Sequence, residues 1–343
     1  MSVSVIMTCH NEERFIEQAV RSVQAQTAYD KVAEILVVDD GSTDGSRALL
    51  ESLRVEIPKL EIIPATGVGL PAARNLALAR SRGELIAILD GDDFWVPEKL
   101  ERQLPAFALS SEVGLVYSDF CDFTQDDMSD AQLIPVRVYH VSHNLPLAEY
   151  FVHDAPIIPS TIIVRREVFD TVGPFDAEMR LGEDTEMFLR IAERWHFEHV
   201  PSGLTFKRRH GGNLTASLER LVPVGEVQAK RVVERNPSMK PLAAKFLSRR
   251  YASAGNDCVK QGRRRDGIRY LRKALAKNPF AWRIYAYLAV AVMPGWLESA
   301  ARRSFWALKR LFRRDGRQAT PRGEVERNEV VSSPPNKTAR RRC

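Results

Sequence analysis

The sequence predicts an α/β fold, a Rossmann-like and mostly parallel sheet with helices on both faces, followed by a C-terminal helical appendage. Three observations carry that expectation. Short runs rich in Val, Ile and Leu alternate with longer amphipathic stretches through the first hundred or so residues. Acidic residues recur directly after two of those apolar runs. From about residue 220 the strand-like runs give way to helical periodicity.

The first strand is expected at Val3–Met7, short and apolar, followed by a helix over Glu12–Gln26. The same pairing repeats with a strand at Glu34–Val38 and a helix at Asp44–Ser52. It repeats again with a strand at Leu60–Ile63 and a helix at Ala72–Ser81, and a fourth strand follows at Leu85–Leu89. Strand and helix in regular succession imply parallel strands joined by helical crossovers.

Past residue 100 the alternation loosens. A helix is expected at Pro97–Ala108, a strand at Val113–Ser118, a further apolar run at Ser160–Val164 and a helix at Glu183–Arg194, while Ser129–Ala155 reads as loop-rich. Residues 220–315 read as mostly helical, with Ala252–Asn278 forming a helical hairpin that turns near Gly262. One such hairpin is too few for a solenoid, which needs about three repeats. The end of the chain, rich in Arg, Ser, Pro and Glu, has the composition of a disordered segment. The expected organisation is therefore a main domain over 1–215, a helical region over 216–315 and a basic disordered tail over 316–343.

A chain of 343 residues with 44% hydrophobic and 27% charged residues has room for such a core and the balance of an ordinary globular protein. Its four cysteines are far apart and form no CxxC pair, which argues against a disulfide framework or a zinc ribbon and suits a reducing cytosol. The N-terminus runs straight into a strand without a basic region, a long apolar stretch or a small-residue cleavage site, so a cytoplasmic location is expected. The net charge of +6 is unevenly placed. Residues 300–343 hold 13 Lys/Arg against 4 Asp/Glu, leaving 37 against 40 in residues 1–299. The basicity belongs to the tail, and the main domain offers no basic groove for nucleic acid.

Ligand-facing loops of an α/β sheet gather at the carboxyl ends of its strands, so the residues just after each strand are the candidates for chemistry. The fourth strand ends in Leu89-Asp90-Gly91-Asp92-Asp93. Clustered carboxylates repel one another and call for a cation, and hard divalent ions take such oxygens together with substrate phosphates. An acidic surface turn is the plain alternative for these residues. The second strand repeats the design in Val38-Asp39-Asp40-Gly41-Ser42-Thr43-Asp44, where Asp40 can accept hydrogen bonds from a base or a ribose and Asp44 suits a helix cap. The first strand ends in Thr8-Cys9-His10-Asn11-Glu12-Glu13, small polar residues at a helix start, where backbone N–H groups can meet part of a nucleotide, though ordinary capping with Glu12 and Glu13 near the helix N-terminus explains the segment by itself. Gly67-Val-Gly69-Leu-Pro-Ala72 fits the dinucleotide-binding GxGxxA pattern. A short preceding strand and Pro71 inside the motif weigh against a dehydrogenase.

Taken together, Val3–Glu12, Ile35–Asp44, Gly69-Leu-Pro-Ala-Ala-Arg-Asn75 and Leu89–Asp93 come in the order and spacing of glycosyltransferase family 2, which the sequence resembles over residues 3–215. Leu181-Gly-Glu-Asp-Thr-Glu-Met-Phe188 resembles the family's Glu-Asp segment, and Arg209-His-Gly-Gly-Asn-Leu-Thr215 its closing His-containing strand. The resemblance implies a GT-A fold and an inverting transfer of sugar from a nucleoside-diphosphate sugar to a hydroxyl acceptor. By the same resemblance Thr8, His10 and Asp40 contact the nucleoside, with Asn11 and Glu12 beside them, and Arg74 lies near the diphosphate. Asp90 and Asp92 form the DxD-type pair for Mn²⁺ or Mg²⁺, Asp93 and His210 are further metal-ligand candidates, and Glu183 flanks Asp184, the expected general base; the plain alternative is that Asp184 caps its helix and Glu183 pairs with an Arg. The Gln-x-x-Arg-Trp motif of processive synthases is missing, so a single-sugar transfer is implied. Asp119, Asp122, Asp126 and Asp127 read as solvated loop acids, with Asp119 also a candidate for acceptor contact.

The expected setting is cell-envelope polysaccharide or glycolipid synthesis with a saccharide or lipid-linked acceptor. The alternative is a non-catalytic nucleotide-sugar-binding protein of the same fold acting through its helical tail. Tyr285–Leu297 is apolar but too short to span a bilayer, which takes about 20 residues. Arg302–Arg314 interleaves Phe305, Trp306, Leu308, Leu311 and Phe312 with cations. Two readings of residues 280–314 stand open: docking on an anionic membrane surface, on the inner face of the plasma membrane, which is favoured, and packing on the domain with the arginines as a solvated face.

Overall fold

The computed structural model describes residues 1–136, 147–153, 156–210 and 218–293. Part of the 129–155 loop, residues 211–215 of the closing motif, the 302–314 amphipathic stretch and the 316–343 tail lie outside the described residues. The chain forms two compact units, Met1–Phe246 and a helical one beginning at Leu247.

The first unit opens with β1 (Val3–Cys9), α1 (Ile16–Gln24), β2 (Val32–Asp40), α2 (Ser46–Glu56), β3 (Leu60–Ala65), α3 (Leu70–Arg80) and β4 (Leu85–Asp90). There follow β5 (Phe94–Trp95), α4 (Lys99–Gln103), β6 (Val113–Phe123), β7 (Gln132–Ile134) and α5 (Leu147–His153). The remaining elements are β8 (Ile163–Arg165), α6 (Arg166–Val172), α7 (Glu183–Ala192), β9 (His196–Arg208) and α8 (Leu221–Arg235). α9 (Lys240–Lys260) leads into the second unit, which continues with α10 (Arg264–Lys277) and α11 (Trp282–Val292).

The strands form one sheet in the order β3-β2-β1-β4-β8-β6-β9-β5, with β7 also paired to β6. From β3 to β4 every pairing is parallel, as the repeated strand–helix pattern requires. Beyond β4 the sheet is mixed: β8 runs antiparallel to both β4 and β6, and β9 runs parallel to β6. β1, β2 and β4 bury alternate residues against α1, whose Ile16, Ala19, Val20 and Val23 recur at helical spacing on one face. The four parallel strands therefore end together, and their carboxyl ends form one rim.

Several boundaries differ from the sequence reading for visible reasons. α1 begins at Ile16 because Asn11 is left-handed (φ 59°) and Glu12 carbonyl oxygen receives the Phe15 and Ile16 N–H groups in a preceding turn. β6 continues to Phe123 through two acids because its ladder with β9 continues to Arg208. Of the run at Ser160–Val164, Pro159–Thr161 is a 3₁₀ turn and only the end is strand. The segment read as loop contains β7 and α5. β9 escaped notice as a strand because Pro201, Ser202 and Gly203 interrupt its alternation, where its register with β6 shifts. The hairpin around Gly262 is present as α9 and α10, and Gly262 itself takes a left-handed φ of 81° at the turn.

Packed beneath the rim is a fully buried lysine on α4. Lys99 Nζ donates to the Gln103 side-chain oxygen and to the Thr161 carbonyl at 3.3 Å, and stands 4.7 Å from the Trp95 ring centroid. Burial pushes its amine well below the ordinary lysine range. A group that releases its proton more readily when folded makes stability rise with pH, up to the unfolded value of 10.5. The unfolding free energy of the wild type should therefore gain on that of Lys99→Met as pH is raised from about 7 to 10 in urea titrations. A constant difference would show that the buried amine keeps its charge.

Candidate active site

The rim at the carboxyl ends of β1, β2 and β4 collects most of the residues singled out in the sequence. In register, Thr8 stands beside Asp90 of β4 and Val38 of β2. Gly91 follows immediately, and a Cβ there would lie 2.8 Å from the Thr8 carbonyl oxygen, so only glycine lets the acidic turn close against β1.

A buried guanidinium organises one part of the rim. Arg74, on the first turns of α3, is 2% exposed and donates from one terminal nitrogen to Glu183 Oε1 at 2.7 Å and from the other to Asp90 Oδ1 at 2.6 Å. Burial opposes its charge, but Asp90 and Glu183 outweigh that cost and hold it protonated. Glu183 and Asp184 open α7 behind Gly182, whose φ of 74° is the left-handed conformation that glycine adopts without strain. Burial, then the neighbouring Asp184, pushes the Glu183 carboxyl up to about 7. Asp184 is half-buried and accepts the Thr185 N–H at 2.6 Å.

A second cluster surrounds the acidic turn. Asp92 Oδ2 lies 2.9 Å from His210 Nε2. Burial, then Asp90, raises the Asp92 carboxyl, against the pull of His210. Asp93 turns inward, accepting the Ser160 hydroxyl at 2.7 Å and the Arg208 N–H at 3.0 Å. Burial raises its carboxyl well above the usual range, and Asp92 and Asp90 add to the shift. Half-buried Glu12 faces the same group, and burial followed by Asp92 and Asp90 pushes it up to about 7.

Among the described residues no three His, Cys, Asp or Glu side chains are grouped so as to enclose a metal ion. The four-residue set Asp90, Asp92, Asp93 and His210 does not converge as expected, because Ser160 and Arg208 draw Asp93 inward while Arg74 draws Asp90 down.

The remaining predicted residues build the loops beside the rim. His10 Nδ1 donates to the Asp40 carbonyl at 2.9 Å, since that oxygen can only accept, and Asn11 Nδ2 then donates to Nε2 at 3.3 Å. Asn11 Oδ1 accepts the Thr43 N–H at 2.8 Å, and its own N–H donates to Ser42 Oγ at 3.0 Å. Asp40 accepts the Val68 and Gly69 N–H groups at 2.7 and 2.8 Å, so both of its oxygens already serve the loop before α3. The same two bonds occupy N–H groups that a dinucleotide pyrophosphate would need, which counts against the GxGxxA reading. Asp44, expected as a cap, accepts from both Ser46 N and Glu13 N and so ties the second loop to the first.

Three features were missed in the sequence. Arg208 is buried between the rings of Phe15 and Phe123, at 4.5 and 4.7 Å, and donates to the Asp92 carbonyl, Asp126 and Gln18. Phe15 in turn lies 5.3 Å from the His210 ring, so Arg208 and Phe15 back the Asp92–His210 pair. Ser160 accepts the Asp90 N–H, donates to Asp93 and offers its carbonyl to Trp95 Nε1, yet nothing in its local sequence marks it. The acids of β6 are also not solvated loop acids as a group. Asp119 is buried and accepts Val136 N–H at 2.7 Å and His199 Nε2 at 2.9 Å, and Asp122 meets Arg209. Asp126 and Asp127 lie beyond β6 and are exposed, Asp126 pairing with Arg208 from the loop, so the expectation holds for these two.

The comparisons with known proteins agree with this architecture. The family model of glycosyl transferase family 2 matches residues 4–173. An uncharacterized glycosyltransferase of Nostoc sp. is 31% identical over 239 residues, 68% of this chain and 73% of that protein. A candidate teichuronic acid biosynthesis glycosyltransferase of Bacillus subtilis, TuaG, is 34% identical over 125 residues, where the chain spans about half (48%) of the relative's length. Residues 1–349 of S. aureus TarS share the fold with a TM-score of 0.62 at 19% identity, covering 96% of this chain and 94% of that one. The mannosyltransferase PcManGT of Pyrobaculum calidifontis does so with a TM-score of 0.60 at 19% identity, covering 90% and 80%.

Removing Arg74 would leave two facing carboxylates in a buried site without their cation. Arg74→Leu should lower the unfolding free energy by about 3–5 kcal/mol in urea titrations. A loss below about 1 kcal/mol would mean the site is wetter than its burial indicates.

Proposed function

Since the chain belongs to glycosyltransferase family 2 and is a glycosyltransferase, we propose that it transfers one sugar, with inversion, from a nucleoside-diphosphate sugar to the hydroxyl of a saccharide or lipid-linked acceptor. The observation that carries this reading is the meeting at one rim of Asp90 and Glu183 on Arg74, with Asp184 next in the chain. The S. aureus TarS fragment is known with UDP and with UDP-GlcNAc, and PcManGT with GDP-Man and Mn²⁺; both support a nucleoside-diphosphate sugar as donor. The biosynthetic name of TuaG supports a place in cell-envelope polysaccharide assembly.

In this reading Thr8 and Asp40 at the ends of β1 and β2, with His10 and Asn11 in the loop after β1, flank the nucleoside. Asp40 acts mainly by holding the Val68–Gly69 backbone, and the exposed His10 ring, fixed on the Asp40 carbonyl, is the group free to meet the base. Glu183 and Arg74 position Asp90 from beneath. Asp184, oriented by the Thr185 N–H, takes the proton of the acceptor hydroxyl. The acceptor oxygen then forms its bond to the anomeric carbon as the bond to the diphosphate breaks on the opposite side. The electron pair leaves with the nucleoside diphosphate.

The residues present fit a hard divalent cation, Mn²⁺ or Mg²⁺. Glu12 faces Asp90 and Asp92, and burial, with those two acids adding to it, pushes its carboxyl up to about 7. Such ions are commonly held by one or two carboxylates completed by substrate phosphates, which suits a site lacking a full protein cage. Asp90 and Asp92 would hold it, with His210 as a further candidate and Asp93 bracing the turn. Bound there, the cation would supply countercharge to the leaving diphosphate.

Asp184→Asn should lower kcat for donor turnover by about 10²–10⁴-fold while leaving nucleotide affinity unchanged. An equal loss of both would reduce Asp184 to a structural role, and intact turnover would remove it as the base. The donor class and the cation are tested by thermal-shift titration with UDP, GDP, dTDP, CMP and NAD, each with and without Mn²⁺. A ligand at about 100 times its Kd adds roughly 2.7 kcal/mol. One nucleoside diphosphate should stabilise the wild type only with metal, and Asp92→Asn should lose that response. Stabilisation by NAD alone would sink the reading.

A further inference from the structure

The chemistry of the rim leaves the second unit without a part. Its described residues, 247–293, hold 11 Lys/Arg against 2 Asp/Glu, whereas residues 1–246 hold 26 against 37. On α10, Arg265, Arg269 and Arg272 recur at steps of four and three, which places them on one face, and all three are exposed. Lys273 and Lys277, also exposed, extend the stripe. The one acid on this helix, Asp266, is paired with Arg269 at 3.0 Å and Arg263 at 3.6 Å.

Where α10 gives way to α11 the surface turns aromatic. Phe280 is 93% exposed, Trp282 61% and Tyr285 52%. They are held near one another: Trp282 N–H donates to the Phe280 carbonyl at 2.9 Å, and the Tyr285 hydroxyl donates back to the Pro279 carbonyl at 2.9 Å. The Arg283 guanidinium lies 5.6 Å from the Trp282 ring. Large rings grouped on a surface call for an apolar partner, and cations beside them call for an anionic one.

We propose that the Phe280–Trp282–Tyr285 turn and the arginine stripe of α10 dock the protein on an anionic phospholipid surface. The rings would sit among the headgroups and acyl-chain ends, and the guanidinium groups would face lipid phosphates. No helix among the described residues is long and apolar enough to cross a membrane. The acidic first unit would be repelled by such a surface, which leaves the basic unit as the part able to approach it. Docking of this kind does not depend on the chemistry proposed for the first unit.

The test is co-sedimentation of the full chain with vesicles of phosphatidylcholine alone or mixed in equal parts with phosphatidylglycerol, at low and high salt. Binding should require the anionic lipid and weaken with salt. Arg265→Ala/Arg269→Ala/Arg272→Ala should lower the partition coefficient on the order of a hundredfold, since each cation near the surface contributes about 1 kcal/mol. Phe280→Ser/Trp282→Ser should lower it at high salt as well. All five side chains are exposed, so both variants should keep the wild-type circular dichroism and donor turnover. Equal binding to neutral vesicles, binding untouched by both variants, or capture by heparin without vesicle binding would each overturn the proposal.

Discussion

The junction of α3, β4 and α7 hangs on one buried cation. Arg74 rises from α3, the helix leading into β4, and holds Asp90 at the end of that strand and Glu183 at the start of α7. Residues 109 apart in sequence are thereby fixed within one hydrogen-bonded group. Two carboxylates that would repel each other in a site shielded from water are made compatible, and Asp184 is placed by its neighbour. Were the guanidinium exposed, the same contacts would be weak and the rim would have no fixed geometry.

A second layer of restraint acts on the acidic turn and comes from backbone as much as side chain. Ser160 meets both Asp90 and Asp93, Arg208 meets Asp93 and Asp92, and Gly91 permits the close approach to β1. Asp93 is spent on this bracing, which leaves Asp90 and Asp92 as the carboxylates of the outer rim. An acidic run that looks uniform in sequence thus divides into one acid turned inward and two left at the outer rim. The Phe123–Arg208–Phe15–His210 stack extends the same support to the partner of Asp92.

Charge separates the two units as clearly as architecture does. The first is acidic, and burial, with neighbouring acids adding to it, raises the carboxyls of Glu12 and Asp92 at its rim. The second is strongly basic and leaves aromatic residues uncovered. The proposed docking surface and the proposed catalytic rim thus fall on units of opposite charge.

The parallel half of the sheet, the acidic ends of β2 and β4 and the hairpin around Gly262 were legible in the sequence because each rests on local rules. Apolar periodicity sets strand and helix, and glycine marks the turn where a left-handed φ is needed. What tertiary structure alone decided is which polar residues meet. Arg74 looked like a diphosphate contact and proved buried beneath Asp90; Asp40 looked open to ligand and proved bound to the Val68–Gly69 backbone. Asp119 looked solvated and lies inside β6, while Ser160 and Arg208 carried no local mark at all. The physical reason is one of range. Backbone conformation and burial pattern answer to neighbours a few residues away. The partner of a buried charge is chosen by whichever strand or helix the fold brings to it, and adjacent residues do not encode that choice.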